Sequence, residues 1–423
     1  MKPSPPIATV HRLPSGLRTL VLPMPHLQTA CVSVFVASGS AHETRRENGI
    51  SHVLEHMAFK GSATRSARAI NVDAERLGAE VNAHTDRDHT AFHMRGLAGH
   101  EAQFVQMLAD IVLHPSFPED ELQRERQVLL HELTEDEDDP LSTAFKLFDN
   151  ACFGLHPAAL PVIGQRGVLE RLQRNELLRW HEQHVRAEAI VVAAAGPIDA
   201  EAFTRSVESA FAAARPGAVP GYTLPPWRGG VKTRHLAGHS QAHLVLGWPI
   251  AALPTDDPLP LLAAAMFGEG MSSPLMHELR EQRGLFYYGA CSADMLATHG
   301  QFVLEASVLP EQRDQFLREL LRLLQRQADA VDGDDLERGR NLLKVRLLRD
   351  SERPVRALED AAIELMFLGR VRPLAERLRR IDAASAGDVQ RCIARALAQP
   401  IALAATGQLG RGASAALREV VGA

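Results

Sequence analysis

The sequence predicts an α+β protein of two homologous domains, each a mostly antiparallel or mixed β-sheet packed with α-helices, joined by a Pro/Gly linker. Three observations predict this: 423 residues with a 45% hydrophobic content, a turn-rich break near the midpoint, and segments that recur at one offset. At roughly 150 residues per domain, the length allows two or three domains, each with its own core. The ordinary apolar fraction and a net charge of −6 exclude disorder as the main state.

The break is Arg215–Gly230, RPGAVPGYTLPPWRGG, with four Pro and four Gly in sixteen residues. Proline cannot donate to a helix or a sheet ladder, so such a segment continues neither. It divides the chain into residues 1–214, a linker at 215–230, and residues 231–423. A near-midpoint break invites a search for duplication. Thr90–Met94 leads into a helical pattern at Glu101–Leu113, as Gly300–Leu304 leads into Glu311–Leu324, offset by 210. Glu121–Arg126 resembles Asp335–Arg340 at an offset of 214, and Ile190–Gly196 resembles Ile401–Gly407 at 211.

Element by element, Thr29–Ala37 and Gln241–Gly247 read as strands, rich in Val, Leu and Phe. Glu119–Glu137 and Asp335–Leu348 read as helices, with Pro140 ending the first region. Strands and helices intersperse without regular βαβ alternation, which favours antiparallel or mixed sheets over a parallel one.

The 46 basic residues are 5 Lys and 41 Arg, dispersed with no basic block, which argues against a nucleic-acid partner. No apolar run approaches the roughly 18 residues of a membrane helix. Met1–Pro6 is Pro-rich and lacks the charged-then-apolar pattern of a secretory signal. Cysteines 31, 152, 291 and 392 form no C-x-x-C pair, as reduced thiols in a cytoplasmic protein would stand.

The chemistry concentrates at His52-Val53-Leu54-Glu55-His56, an H-x-x-E-H sequence. On a helix, positions 52 and 56 stand one turn apart on one face, so two imidazoles can grip one ion. Glu55 lies beside that face, within reach of a water in the site. Ser51 could cap the helix after the Asn48-Gly49 turn. A catalytic zinc takes three protein ligands and keeps one position open. The third ligand must come from elsewhere. Glu125, Val128, Leu129 and Glu132 fall at i, i+3, i+4 and i+7 of the Glu119–Glu137 helix, placing two carboxylates on an apolar stripe. A buried Glu needs a partner, and a metal would supply one.

An inverted H-x-x-E-H is the signature of inverzincins. The surrounding residues resemble the pitrilysin, insulysin and mitochondrial processing peptidase superfamily. The resemblance rests on Gly39-Ser40, Glu43 and Gly49–Gly61, on Asn82-Ala83-His84-Thr85 with His89-Thr90, and on Glu125-Arg126-Gln127-Val128 ending at Glu132. In the second half, Met271–Leu275 and Leu279–Tyr287 resemble the family's Arg/Tyr motif, with Pro274 in place of the usual Arg. The likeness runs from about Leu13 to Gly410.

The resemblance implies a zinc metalloendopeptidase with one Zn²⁺ per chain, held by His52, His56 and Glu132. Glu55 would be the general base, and Glu125 would orient a ligand histidine. Asn82 and Ala83 would lie on an edge strand that pairs with an extended peptide, and Arg280 and Tyr287 would contact substrate near the scissile bond. The second half lacks the zinc motif, Glu132 aligning with Arg346 and Glu125 with Gly339. The family implies a clamshell of four such domains, so a two-domain chain implies a homodimer. Alternatives are the catalytic subunit of a heterodimeric peptide-processing complex, for example in maturation of a peptide-derived cofactor, and a non-catalytic peptide-binding subunit. Trp180–His184 reads as a helix end, and Glu135–Asp139 as a solvated helix terminus. His84, His89 and His93 read as solvated or substrate-facing rather than as a second metal site.

Overall fold

The computed structural model describes residues 7–422; Met1–Pro6, read above as lacking a secretory pattern, lie outside the described residues. Two compact units result, and neither is contiguous. The first takes residues up to Leu133, Pro161–Thr223 and Asp350–Pro373; the second takes Thr134–Leu160, Leu224–Arg349 and the residues from Leu374 on. This differs from an undivided 1–214 and 231–423. Each half of the sequence gives one helix to the other unit.

The first unit is built on six strands: β1 (Thr9–Arg12), β2 (Arg18–Pro23), β3 (Thr29–Val36), β4 (Glu80–Thr85), β5 (Thr90–Leu97) and β6 (Ile190–Gly196). They lie in the order β1-β2-β6-β3-β5-β4, parallel between β2 and β6 and antiparallel elsewhere. The second unit has five: β7 (Gly230–His235), β8 (Ala242–Ile250), β9 (Tyr288–Met295), β10 (Gly300–Val308) and β11 (Ala402–Gly407). Their order is β7-β11-β8-β10-β9, with one parallel pair at β7 and β11. Order and polarity repeat those of β2-β6-β3-β5-β4. The two sheets are therefore copies of one mixed topology, as the fold class predicts.

Both faces of each sheet are covered, which is why their central strands read as continuous apolar runs. In the first unit Val32, Val34, Phe92 and Met94 point to the face carrying helices Ile50–Ala58 and Glu101–Leu113. Cys31, Phe35, Ala91 and Val191 point to the other face, against Leu358, Ala361, Ala362 and Leu365 of the exchanged helix Pro354–Phe367. In the second unit the exchanged helix Pro140–Phe153 sets Ala144, Phe148 and Cys152 on Val245, Val303, Ala402 and Ala404. Burial of that apolar strip selects the sheet on which a helix lands, and amphipathic period alone cannot name the sheet.

Individual elements follow the sequence closely. Glu101–Leu113 is helical over that span, β3 stops one residue before Ala37, and the expected 119–137 and 335–348 helices run Glu119–Asp138 and Gly333–Ser351. The acidic run ends its helix at Asp138, and Asp139 caps the next by accepting the Ser142 N–H at 2.7 Å. Among the described residues, no helix is long and apolar enough to cross a membrane.

Candidate metal centre

The H-x-x-E-H residues lie on helix Ile50–Ala58, between β3 and the edge strand β4. Its start is fixed by Glu43 and not by the Ser51 hydroxyl. The buried Glu43 carboxylate accepts the backbone N–H groups of Gly49 at 2.7 Å and Ser51 at 2.9 Å, and Asn48 Nδ2 at 3.0 Å. Those N–H groups are donors that the first helical turn leaves orphaned. Burial pushes the Glu43 carboxyl up to about 7, against the pull of these three donors. Gly49 has φ +98°, and a Cβ there would stand 2.7 Å from Gly164 Cα, so this turn needs glycine.

One turn apart, the His52 and His56 rings meet edge to face, with Nε2 atoms 3.2 Å apart. Glu132, from helix Glu119–Asp138, brings Oε2 to 3.7 Å from His56 Nε2. Glu125, one buried step earlier on that helix, meets the opposite ring nitrogen, His56 Nδ1, at 2.8 Å. Its other oxygen holds Lys60 Nζ at 2.6 Å. The two carboxylates thus divide the two nitrogens of one ring between them. Val128, expected on the apolar stripe with them, is 45% exposed, because the buried line of that helix runs Leu122, Glu125, Leu129 and Leu133.

Electrostatics follow from burial and from these partners. Burial and the neighbouring His56 lower His52 to about 4, which keeps its ring neutral. Burial also disfavours charge on His56, but the Glu125 bond and the charges of Glu55, Glu132 and Glu125 outweigh it, so His56 is raised. Glu125 is disfavoured as an anion by burial, yet its bonds to His56 and Lys60 hold its carboxyl below the ordinary range. Glu55 projects beside the ligand pair, and one oxygen accepts the Thr85 hydroxyl at 2.9 Å. Burial raises the Glu55 carboxyl above its ordinary value, opposed by Thr85, then by His56 and His84.

These residues fit a zinc ion. Bonds of about 2.0–2.1 Å in a tetrahedron put neighbouring donors about 3.3–3.4 Å apart, near the imidazole separation found here. Glu125 accepting Nδ1–H would fix the His56 tautomer with its Nε2 lone pair towards the site, the usual outer-sphere arrangement. His52, His56 and Glu132 form a group whose ligand atoms lie within 4.8 Å of one another.

The other predicted residues lie elsewhere. Asn82 and Ala83 are on the edge strand β4; Asn82 is exposed, its Oδ1 accepting the Ala83 N–H at 2.8 Å. Arg280 and Tyr287 belong to the second unit. Arg280 sits on Leu275–Glu281, which winds as a π-helix, a rare form that recurs at functional sites. Tyr287 precedes β9 and is 78% exposed. The positioning contacts of Lys60, Thr85 and Glu43 are not readable from spacing, although all three residues stand inside the motif stretches.

Fold and centre define a metallopeptidase-like, two-unit α+β protein, and comparison with known families agrees. Residues 19–166 match the model of insulinase, peptidase family M16, and residues 171–343 match that of the peptidase M16 inactive domain. The chain belongs to peptidase family M16. An uncharacterized zinc protease of Streptomyces coelicolor is 32% identical over 342 residues, covering 77% of this chain and 72% of that protein. One from Mycobacterium leprae is 30% identical over 376 residues, covering 85% and 80%. The crystal structure of a Helicobacter pylori protease superposes with a TM-score of 0.88 at 20% identity, covering 95% of this chain and 99% of that one, a likeness of fold.

Proposed function

We propose that this chain is a zinc-dependent metalloendopeptidase that cleaves unfolded oligopeptides or precursor peptides. The observation that carries the reading is the meeting of His52, His56 and Glu132 around one point, with Glu55 raised by burial beside them. Zinc, when bound, supplies a Lewis acid that polarises the scissile carbonyl and makes water easier to deprotonate.

The chain's own residues do the rest. Glu55 takes the proton of the attacking water on its carboxylate and returns it to the leaving amine nitrogen. A base pKa lifted towards neutrality suits both transfers better than an ordinary carboxylate would. Thr85 holds the Glu55 carboxylate in place at 2.9 Å. Glu125 and Lys60 hold His56 from behind. β4 is the last strand of its sheet, and an extended peptide adding to such an edge would pair with the backbone around Asn82 and Ala83. That requirement selects segments able to become a strand, hence peptides and unfolded termini. Arg280 and Tyr287 serve as substrate contacts from the second unit, and a homodimer is the assembly we expect.

The test is Glu55→Gln. The variant keeps its zinc and loses about 10²–10⁴-fold in peptide-bond hydrolysis. Wild-type turnover in a variant shown to be intact would remove Glu55 as the base.

A further inference from the structure

The face of the first unit's sheet that carries the exchanged helix Pro354–Phe367 holds a second cluster of the same ligand types. We propose that His84, His89 and Glu359 form a second divalent-metal site, of the zinc class, that clamps the β4–β5 hairpin to the exchanged helix Pro354–Phe367. His84, next to last in β4, lies on the face opposite Thr85, His89 lies in the turn before β5, and Glu359 comes from the helix. All three belong to the first unit.

The geometry argues for an ion. His84 Nε2 stands 3.3 Å from His89 Nε2 and 3.4 Å from Glu359 Oε1, and the three ligand atoms lie within 4.8 Å of one another. Both separations match the edge of about 3.3–3.4 Å that a tetrahedral zinc imposes. They are at least as regular as the 3.2 and 3.7 Å found at the first centre. Two imidazoles and one carboxylate leave a fourth position for water, and His84, 37% exposed at its side chain, opens the site to solvent.

The surrounding contacts orient each ligand. Asp88 Oδ1 lies 2.7 Å from His89 Nδ1 in a nearly inaccessible pair, so the Nδ1–H is donated to the carboxylate and Nε2 presents its lone pair. Arg356 Nη1 holds Glu359 Oε2 at 3.1 Å, turning Oε1 towards the histidines. His84 Nδ1 is 3.1 Å from His93 Nε2, and His93 Nδ1 is 2.7 Å from Ser33 Oγ. With a metal on His84 Nε2, the chain runs from the His84 Nδ1–H to His93 Nε2, and from the His93 Nδ1–H to the Ser33 hydroxyl. Without one, a neutral His84 that donates Nε2–H to Glu359 accepts at Nδ1 from the His93 Nε2–H, and both tautomers reverse. The two states therefore differ in proton position as well as occupancy.

This site does not depend on the peptidase reading, and its test separates them. Metal-stripped wild-type protein, titrated with zinc and desalted, should bind two equivalents by mass spectrometry of the metal. Glu359→Gln should bind one tightly. The double variant His52→Asn, His56→Asn should retain one equivalent. Adding Glu359→Gln to it should weaken that equivalent at least about tenfold. In the double variant, zinc should move the His84 and His93 protons to Nδ1, read by long-range ¹⁵N–¹H spectra. One equivalent in the wild type that Glu359→Gln leaves unchanged would overturn the proposal. So would a double variant without saturable zinc, or His84 and His93 tautomers that zinc does not alter.

Discussion

The two units place a helix in the same position, after a central strand and before an edge strand, and use it in opposite ways. In the first, Ile50–Ala58 presents His52, Glu55 and His56 towards Glu125 and Glu132 of a neighbouring helix. In the second, Leu259–Gly268 reads LPLLAAAMFG and buries Leu262 through Phe267 almost completely. Where the first unit has Glu125, the second has Gly339, whose added Cβ would stand 2.7 Å from Met266 Cα. Where the first has Glu132, the second has Arg346, 3.2 Å from Glu269. One scaffold thus either holds its two helices apart with polar groups that satisfy each other, or closes them with small apolar residues. Burying unpaired imidazoles and carboxylates costs free energy, so the open version needs its hydrogen-bond partners and has a use for a metal.

That contrast can be broken most forcefully from the second unit. Installing the first unit's residue there, Gly339→Glu, forces a side chain into Met266 and buries a carboxylate at a position now filled by the neighbouring helix. The expected cost is about 3 kcal/mol or more. It should appear as a lowered unfolding midpoint with zinc content unchanged. A variant as stable as the wild type would show that the helices of the second unit can separate freely. In the first unit, Glu125→Gln should weaken zinc binding about 10–100-fold and lower the unfolding midpoint by less than Gly339→Glu does, since the amide oxygen still accepts from His56 while Lys60 loses its carboxylate. Loss of stability with wild-type metal affinity would recast Glu125 as a packing residue held by Lys60.

Much of this contrast is legible in the sequence, and physical reach marks where legibility stops. His52 and His56 are readable because a helix brings i and i+4 together whatever surrounds it. Glu125 and Glu132 are readable as two carboxylates on one helix. Which of them faces Nε2 and which Nδ1 is decided by the packing of that helix on the His56 ring, and spacing does not contain it. The recurrence at 210 to 214 reveals two copies of one topology. It does not reveal that Pro140–Phe153 and Pro354–Phe367 change sheets, since an amphipathic strip fits any apolar face of suitable shape. Glu359 is therefore not readable as a partner of His84, and the sequence alone leaves the histidine cluster as solvated or substrate-facing. Glu43 stands in a motif stretch, but its role as acceptor for the orphan N–H groups of the next helix depends on the turn at Gly49, which spacing does not contain.

The smallest expected effect tests whether the first unit's openness is tuned as well as tolerated. Thr85→Val keeps the shape of the side chain and removes the hydroxyl donated to Glu55. Burial already raises the Glu55 carboxyl, and the Thr85 bond is the foremost interaction pulling it back by favouring the anion. Without that bond the pKa rises further, so at a fixed acidic pH a smaller fraction of Glu55 is ionised and able to accept a proton. The acidic limb of kcat/KM should move to higher pH. A lost hydrogen bond of about 0.5–1.5 kcal/mol corresponds to roughly 2–10-fold in rate where the base is not fully ionised. Zinc affinity should not change, because Thr85 touches neither ligand nor Glu125. An acidic limb that stays in place while turnover falls would mean that Thr85 positions the carboxylate without setting its charge. A limb that moves downward would mean that the hydrogen bond favours the protonated form, with Glu55 donating to Thr85.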